Sequence, residues 1–379
     1  MIVIEIIFWA GLGLIFWTYF GYYILLKLLS FILIESNHKQ KSFPDVSIIV
    51  TAHNEEKRIA DKIINTLSLD YPPEKVQLII VSDGSTDRTV EIASGYCGRG
   101  VELLVIPGRH GKHYGQGEAL KIARNDIVVL SDATTFLDPD SLKNLVGNFV
   151  DPKIGCVSGL DKVPGTNNGL SGEGAYVGYE MKLRDLESRV GSLVGASGSF
   201  YAVRKSLTKQ WHPNMSNDFY LPIIARMKGF RTILDNSAIG TYSILEDQDR
   251  EFQRKVRTVV HGIDVLFHFK AILNPFKYGF FSIQVFSHKL MRWLVPFALF
   301  IIFAANIPLS VNNEYYYGAL ACQSFLYLLT LLAFVVKPLQ NNRVIKIPYF
   351  FVMANHSILI AWIDFIKGER YITWARTER

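Results

Sequence analysis

Three segments of the chain set acidic, amide and hydroxyl side chains directly after short apolar runs. His53-Asn54-Glu55-Glu56 follows VSIIVTA, Ser82-Asp83-Gly84-Ser85-Thr86-Asp87 follows VQLIIV, and Ser131-Asp132-Ala133-Thr134 follows IVVL. Singly, Asn54 or Asp83 reads as a helix cap, because short polar side chains satisfy the free amides of a helix start. Together they are a gathering of carboxylates, which is costly unless it binds a cation or hydrogen-bonds a polar ligand such as a ribose or a base. Farther along, Lys112 follows Gly111, and Asp218 follows Asn217 ahead of a helix-like run. Arg254 and Arg257 stand three apart, the spacing of one helical face, where guanidinium groups suit phosphate oxygens.

The elements that must position these groups alternate. Residues 46–52, 76–81, 101–106 and 127–130 are β-branched apolar runs, and residues 55–67 and a segment from 86 to 95 read as helices. Continuous apolar strands separated by helices predict a mostly parallel sheet covered on both faces, an α/β fold. In such sheets ligands sit at the carboxyl ends of the strands, which is where Glu55, Asp83 and Asp132 fall. The glycines from Gly108 to Gly117 predict a mobile loop, and GRHGKH lacks the spacing of a phosphate-binding P-loop.

The apolar residues pile up at the two ends. Residues 6–26 carry no charge and are long enough to cross a ~30 Å hydrocarbon core. Glu5 precedes this run and Lys27, Lys39 and Lys41 follow it, so it reads as an uncleaved anchor with the next segment in the cytoplasm. Residues 293–311 and 316–336, separated by Asn312, Asn313 and Glu314, predict a transmembrane hairpin. Residues 347–363 have basic flanks on both sides, from Lys337, Arg343 and Lys346 to Lys367, Arg370, Arg376 and Arg379, so three and four spans both fit. Residues 279–293 mix phenylalanines with His288, Lys289 and Arg292 and predict an amphipathic helix in the interface. The organisation is thus an anchor at 1–41, a cytoplasmic domain at 42–278, and an interfacial helix with a membrane region at 279–379. Compactness and the absence of targeting signals suit a bacterial inner membrane.

Composition narrows the function. With 49% hydrophobic and 20% charged residues the chain is not a disordered protein. Its net charge of +6 comes with no basic run interleaved with aromatics, which argues for anionic lipid headgroups as partners and against nucleic acid. The apolar runs carry few paired charges, so a transporter has no support. Cys97, Cys156 and Cys322 show no paired spacing and read as packing residues of a reducing compartment.

VSIIVTAHNEE, LIIVSDGSTDRT, Gly111-Lys112 and DIVVLSDATTFLDPDSL, in this order, resemble the nucleotide-sugar half of the family 2 glycosyltransferases, whose catalytic domain has the glycosyltransferase A fold. GASGSFYAVRKS resembles the family's acceptor-side segment, and SNDFYLPIIARMKGFRTIL its catalytic-aspartate helix. EFQRKVRTVVHG and GERYITWARTER are similar to membrane-integrated members, the relatives of hyaluronan and cellulose synthases. The resemblance implies an inverting transfer from a nucleotide-sugar donor, UDP-linked, to a glycan or lipid-linked acceptor. It implies Asp218 as the base, Asp83 and Glu55 on the uracil and ribose with Asn54 ordering the loop, and Lys112 on the nucleotide or diphosphate. It also implies Asp132 as ligand of Mg²⁺ or Mn²⁺, with Asp138 and Asp140 either capping a helix or reaching towards the ion. The chain departs from the family where Asn217 replaces an acidic residue, where Thr134 replaces the second carboxylate of Asp-x-Asp, and where Arg254 and Thr258 replace the Gln and Trp of Q-x-x-R-W. Polymerisation and single-sugar transfer both stand on that pattern, as does assembly into oligomers. The departures also motivate a second reading, a catalytically silent nucleotide-binding subunit of a synthase complex.

Overall fold

A long apolar helix, α1 (Ile2–Leu29), leads into strand β1 (Val46–Ala52), helix α2 (Ile59–Leu67), β2 (Val76–Asp83), α3 (Thr89–Ser94), β3 (Val101–Ile106), α4 (Lys112–Ile122) and β4 (Ile127–Asp132). The computed structural model describes residues 1–33, 37–162, 172–242, 248–311 and 313–371. Asn312, Arg376, Arg379 and most of GERYITWARTER therefore lie outside the described residues. The four strands run parallel in the order β3-β2-β1-β4, as the alternation of strand and helix predicts. Register sets Thr51 opposite both Val81 and Asp132, so the strand ends come level.

β2 and β4 run two residues beyond their apolar stretches and end on Asp83 and Asp132 themselves. Helices α2 and α3 start later than the sequence predicts, because the residues before them build a paired turn. Asn54 adopts φ 55°, and its Oδ1 accepts the Thr86 amide at 2.8 Å. Asn and Asp tolerate this left-handed region better than other side chains with a Cβ.

The second half adds β5 (Phe136–Leu137), α5 (Ser141–Val146), β6 (Ile154–Lys162), α6 (Gly172–Val190), β7 (Phe200–Arg204), α7 (Asn217–Met227) and β8 (Arg231–Thr241). The whole sheet reads β3-β2-β1-β4-β7-β6-β8-β5, with β7 antiparallel to both of its neighbours. That reversal brings the start of β7, and the segment 191–199 before it, to the edge where β4 ends. Both faces are covered. Ile48, Val50, Leu78 and Ile80 pack with Ile59, Ile63, Leu142 and Leu145 on one side, while Ile49, Ile79, Val128 and Leu130 join Ala119, Leu120, Phe219 and Tyr220 on the other. Each of these Val, Ile, Leu and Phe side chains contributes about 1.5–3 kcal/mol by leaving water.

Of the predicted glycine loop, residues 108–111 are non-helical, but residues 112–117 are instead the first half of α4, which begins at Lys112. Its glycines serve close approach. A Cβ on Gly115 would lie 3.0 Å from Thr51 Cγ2, and one on Gly117 would lie 2.6 Å from Trp211 Cδ1. The cysteines also differ from expectation: all three are free, but only Cys156 is buried, and Cys97 and Cys322 are exposed.

Helix α8 (Gln248–His268) precedes α9 (Phe280–Ser310), α10 (Glu314–Val335) and α11 (Arg343–Ile366). Among the described residues α1, α9, α10 and α11 are long and apolar enough to cross a membrane. The stretch 279–293 does not form a separate interfacial helix. It is the first part of α9, continuous through one π turn at Phe286–Leu290, and its polar side is buried against α6. His288 faces Glu187 at 2.8 Å and Glu180 at 2.9 Å, Arg292 donates to Glu180 at 2.9 Å, and Tyr22 of α1 donates to Glu187 at 2.7 Å. Buried polar groups require such partners, and here the partners come from the domain. Helix α11 packs on α8. Lys255 lies 4.4 Å from the Phe350 ring, Phe267 packs edge-on to Trp362, and beyond the helix Arg370 pairs with Asp264 at 3.2 Å.

Candidate active site

A cleft of about 610 Å³ opens where β1, β2, β4 and β6 end, with one face of α8 across from them. Its walls bring together Glu55, Asp83, Lys112, Asp132, Asp218, Arg254 and Arg257. Asn54 is absent from the lining and instead holds the turn beside it through Thr86 and Ser85.

Asp83 has both carboxylate oxygens engaged: Oδ1 accepts the His110 amide at 2.9 Å and Oδ2 the Gly111 amide at 2.6 Å. Its carbonyl accepts His53 Nδ1–H at 2.6 Å. The strand-end carboxylate thereby fixes the loop ahead of α4, and with it Lys112. Lys112 is ion-paired with Asp132 and donates to the Gly198 carbonyl at 2.7 Å. Asp138 and Asp140 do not line the cleft, and Asp140 pairs with Lys143 at 2.7 Å.

Asp218 sits in the first turn of α7, whose N-cap is Ser216, and no side-chain capping bond is made there. The Ser216 hydroxyl donates to Asp218 Oδ1 at 2.5 Å, and the Asp218 carbonyl accepts the Ala196 amide at 2.8 Å. Asn217 is buried away from the cleft and donates to Gln116 Oε1 at 2.6 Å. The amide thus stands at a buried position, where an unpaired charge would be costly.

Helix α8 is amphipathic. Arg250, Gln253, Arg254, Arg257 and His261 face the cleft, while Phe252, Val256 and Val260 pack with Ala361 of α11. Arg254 donates to Glu251 at 2.6 and 2.7 Å. Burial, with Arg254 and Arg109 adding repulsion, pulls the Arg257 guanidinium down to about 10. A crowd of cations in a concave site is stabilised when an anion enters. The arginines belong to this cleft and not to a lipid-facing surface.

Several groups of the cleft were not singled out from the sequence. Asp161, near the end of β6, accepts from Ser197 at 2.6 Å and Ser199 at 2.7 Å, and Arg184 of α6 lies 3.8 Å from its other oxygen. An apolar strand ending in a carboxylate was the available signal. His113 lines the cleft beside Lys112; burial and that neighbouring cation, opposed by Asp218, hold its imidazole down to about 3, so it is neutral. Nothing local marks His113, since its neighbours come from α7 and α8. Among the described residues no group of three or more His, Cys, Asp or Glu could hold a metal unaided. Asp132, with a partly exposed carboxylate, suits a hard cation whose remaining ligands are diphosphate oxygens and water.

Residues 47–211 match the family described as Glycosyl transferase family 2. A poly-beta-1,6-N-acetyl-D-glucosamine synthase of Staphylococcus epidermidis is 22% identical over 376 residues, covering 92% of this chain and 90% of that protein. The synthase of the same name from Staphylococcus aureus strain COL is 26% identical over 231 residues, covering 58% of this chain and 55% of that one. Among solved structures, the mannosyltransferase PcManGT from Pyrobaculum calidifontis, in complex with GDP-Man and Mn²⁺, has a TM-score of 0.73 at 20% identity over 97% of this chain and 100% of that one, a shared fold. Fold, cleft and comparisons define a glycosyltransferase with long apolar helices at both ends. Its segment 47–211 is a domain of glycosyl transferase family 2.

Proposed function

We propose that the protein is an inverting glycosyltransferase of polysaccharide synthesis that takes a sugar from a UDP-linked donor on the cytoplasmic side of a cell membrane and joins it to a glycan or lipid-linked acceptor. One observation carries the reading: the Asp218 carboxylate opens on the same cleft as Asp83 and Asp132 and is not used to cap its helix. The acceptor hydroxyl attacks the anomeric carbon opposite the diphosphate, its proton passes to Asp218, and the departing diphosphate takes the bonding pair. Lys112, Arg254 and Arg257 neutralise the charge gathering on that group. Asp132 would hold Mg²⁺ or Mn²⁺, which when bound supplies further neutralisation of the diphosphate. The names of the Staphylococcus relatives favour polymer synthesis, while Arg254 and Thr258 in place of Gln and Trp keep single transfer open.

Packing of α11 on α8, a helix of the cleft wall, favours α1, α9 and α10 as the spans, with α11 lying against the cytoplasmic domain. That arrangement leaves both basic flanks of α11 on one side, which suits the positive-inside bias. The silent-subunit alternative leans on Asn217, yet that residue lies outside the cleft, and the carboxylate beside it is retained. The test is release of nucleoside diphosphate by purified full-length protein across a panel of UDP- and GDP-sugars with Mn²⁺ present. UDP release that Asp218→Asn abolishes is the expected outcome; a protein that binds nucleotide but consumes no donor in the panel is the silent subunit.

A further inference from the structure

Helix α2 turns Ile59, Lys62, Ile63 and Thr66 into the core, the spacing of one helical face, and Lys62 is the charged side chain among them. It is fully buried, which is rare for a lysine without a partner. The partner is not a carboxylate: Asp132, whose charge reaches the amine, pairs with Lys112 on the cleft side. Lys62 instead donates to Ser131 Oγ at 2.8 Å and to the Thr135 carbonyl at 2.5 Å. These are the residue before Asp132 and the last residue of the turn that starts on it, a turn closed by the Thr135 amide on the Asp132 carbonyl at 3.1 Å. On the far side the Asp132 amide donates to the Ser199 carbonyl at 3.0 Å. Asn65, one turn along α2, exchanges two hydrogen bonds of 2.9 Å with the backbone of Leu137. One helix thus holds the chain at Ser131, Thr135 and Leu137, and the first two of these bracket Asp132.

Tying a turn with a buried amine is costly, because burial strips the lysine of its hydration. What the contact secures is the placement of one carboxylate. Where Asp-x-Asp supplies two acidic groups, this chain has Thr134 at the second, so more rests on where Asp132 stands when it meets a hard cation. Groups behind a metal ligand fix its orientation and govern affinity through it. We infer that Lys62 is a positioning residue of the cation site: through Ser131 and Thr135 it holds the turn that carries Asp132, and so sets the affinity for the divalent cation of the donor diphosphate. Lys62 is not part of the cleft lining and acts only through that turn. The inference rests on the reading of Asp132 as cation ligand given above and adds the residue that presents this ligand.

Calorimetric titration of the full-length protein with UDP, over a range of Mn²⁺ concentrations and in EDTA, tests it without turnover. At about pH 8 the amine, lowered to about 7 by burial, carries little charge, so comparison with Lys62→Met reads the two hydrogen bonds and not repulsion of the cation. The native protein is expected to bind UDP more tightly with Mn²⁺ present. Lys62→Met should raise the Mn²⁺ concentration for half of that gain roughly tenfold or more, the usual cost of losing a group behind a metal ligand, and should keep the native UDP affinity in EDTA. Ser131→Ala should act in the same direction and add little to Lys62→Met, since both break one contact. Asn65→Ala, which frees Leu137 and leaves Ser131 and Thr135 held, should lower the melting temperature without moving the Mn²⁺ requirement. An unchanged requirement in Lys62→Met overturns the inference, as does an equal rise in Asn65→Ala or a loss of UDP affinity in EDTA as large as that in Mn²⁺. If Lys62→Met does not fold, an unchanged requirement in Ser131→Ala overturns it. A native protein that gains nothing from Mn²⁺, or a gain that survives Asp132→Asn, removes the cation reading itself. A gain lost in Asp132→Asn yet unmoved in Lys62→Met removes the role of Lys62 alone.

Discussion

Lys112 and Asp132 form an ion pair across the cleft floor, and the same ammonium reaches the Gly198 carbonyl at 2.7 Å. One lysine at the start of α4 thus ties the strand-end carboxylate of β4 to the segment that runs past Asp218. The pair is held from behind as well, because Asp83 anchors the two amides just ahead of Lys112. Lys112→Met is expected to weaken nucleoside-diphosphate binding by roughly tenfold or more, the cost of one hydrogen bond to a charged group. Isothermal titration with UDP and with uridine separates the effects: uridine affinity should change little, and an equal loss for both would place Lys112 away from the diphosphate.

Asp218 lies at the start of α7 but leaves the capping position to Ser216. Asp218→Asn should therefore preserve the melting temperature and nucleotide affinity while lowering turnover by about 10²–10⁴, the range for loss of a general base. Unfolding of the variant would return Asp218 to a structural role.

Lys62 of α2 is fully buried beneath β4, donating to Ser131 Oγ at 2.8 Å and to the Thr135 carbonyl at 2.5 Å. Burial, opposed by Asp132, lowers its ammonium from 10.5 to about 7. Between about pH 7 and 10.5 the folded chain has released a proton there that the unfolded chain keeps, so ν_U exceeds ν_N and this group makes stability rise with pH. Thermal unfolding in metal-free buffer from pH 7.5 to 9.5 should show a steeper rise in the native protein than in Lys62→Met. Parallel slopes would show that Lys62 stays charged in the fold.

Gly117 faces Trp211, where a Cβ would come within 2.6 Å of the indole, and Trp211 Nε1 donates to the His113 carbonyl at 2.7 Å. Gly117→Ala is expected to destabilise by about 1–3 kcal/mol through overpacking, despite the better helix propensity of alanine. It should also disturb the cleft through His113. A stabilised variant in a thermal-shift assay would mean that Trp211 has room to move.

The parts of the site that were legible share one property: their signal is local. Asp83 and Asp132 follow apolar runs, Asp218 precedes an amphipathic one, and Arg254 and Arg257 stand at helical spacing. Asp161 carries the same mark as Asp83 and Asp132, an apolar strand ending in a carboxylate, whereas His113, His261 and Arg184 carry none, because what makes them part of the cleft is contact with elements distant in the chain. The glycines of α4 misled for the same reason. Glycine near a turn suggests mobility until the surfaces it must approach, Thr51 and Trp211, are known.

Sequence alone determined the parallel half of the sheet and the carboxylates at its edge, since side-chain periodicity and β-branched runs act over a few residues. It also marked where the long apolar helices lie, because a run of about twenty uncharged residues is recognisable from composition and length alone. Only the tertiary structure decided that β7 runs antiparallel, that the polar start of α9 turns to Glu180 and Glu187 instead of to the headgroups, and that α11 backs the helix carrying the arginines. These outcomes depend on which buried polar and apolar surfaces find complementary partners. That is a property of the assembled chain, which no single segment encodes.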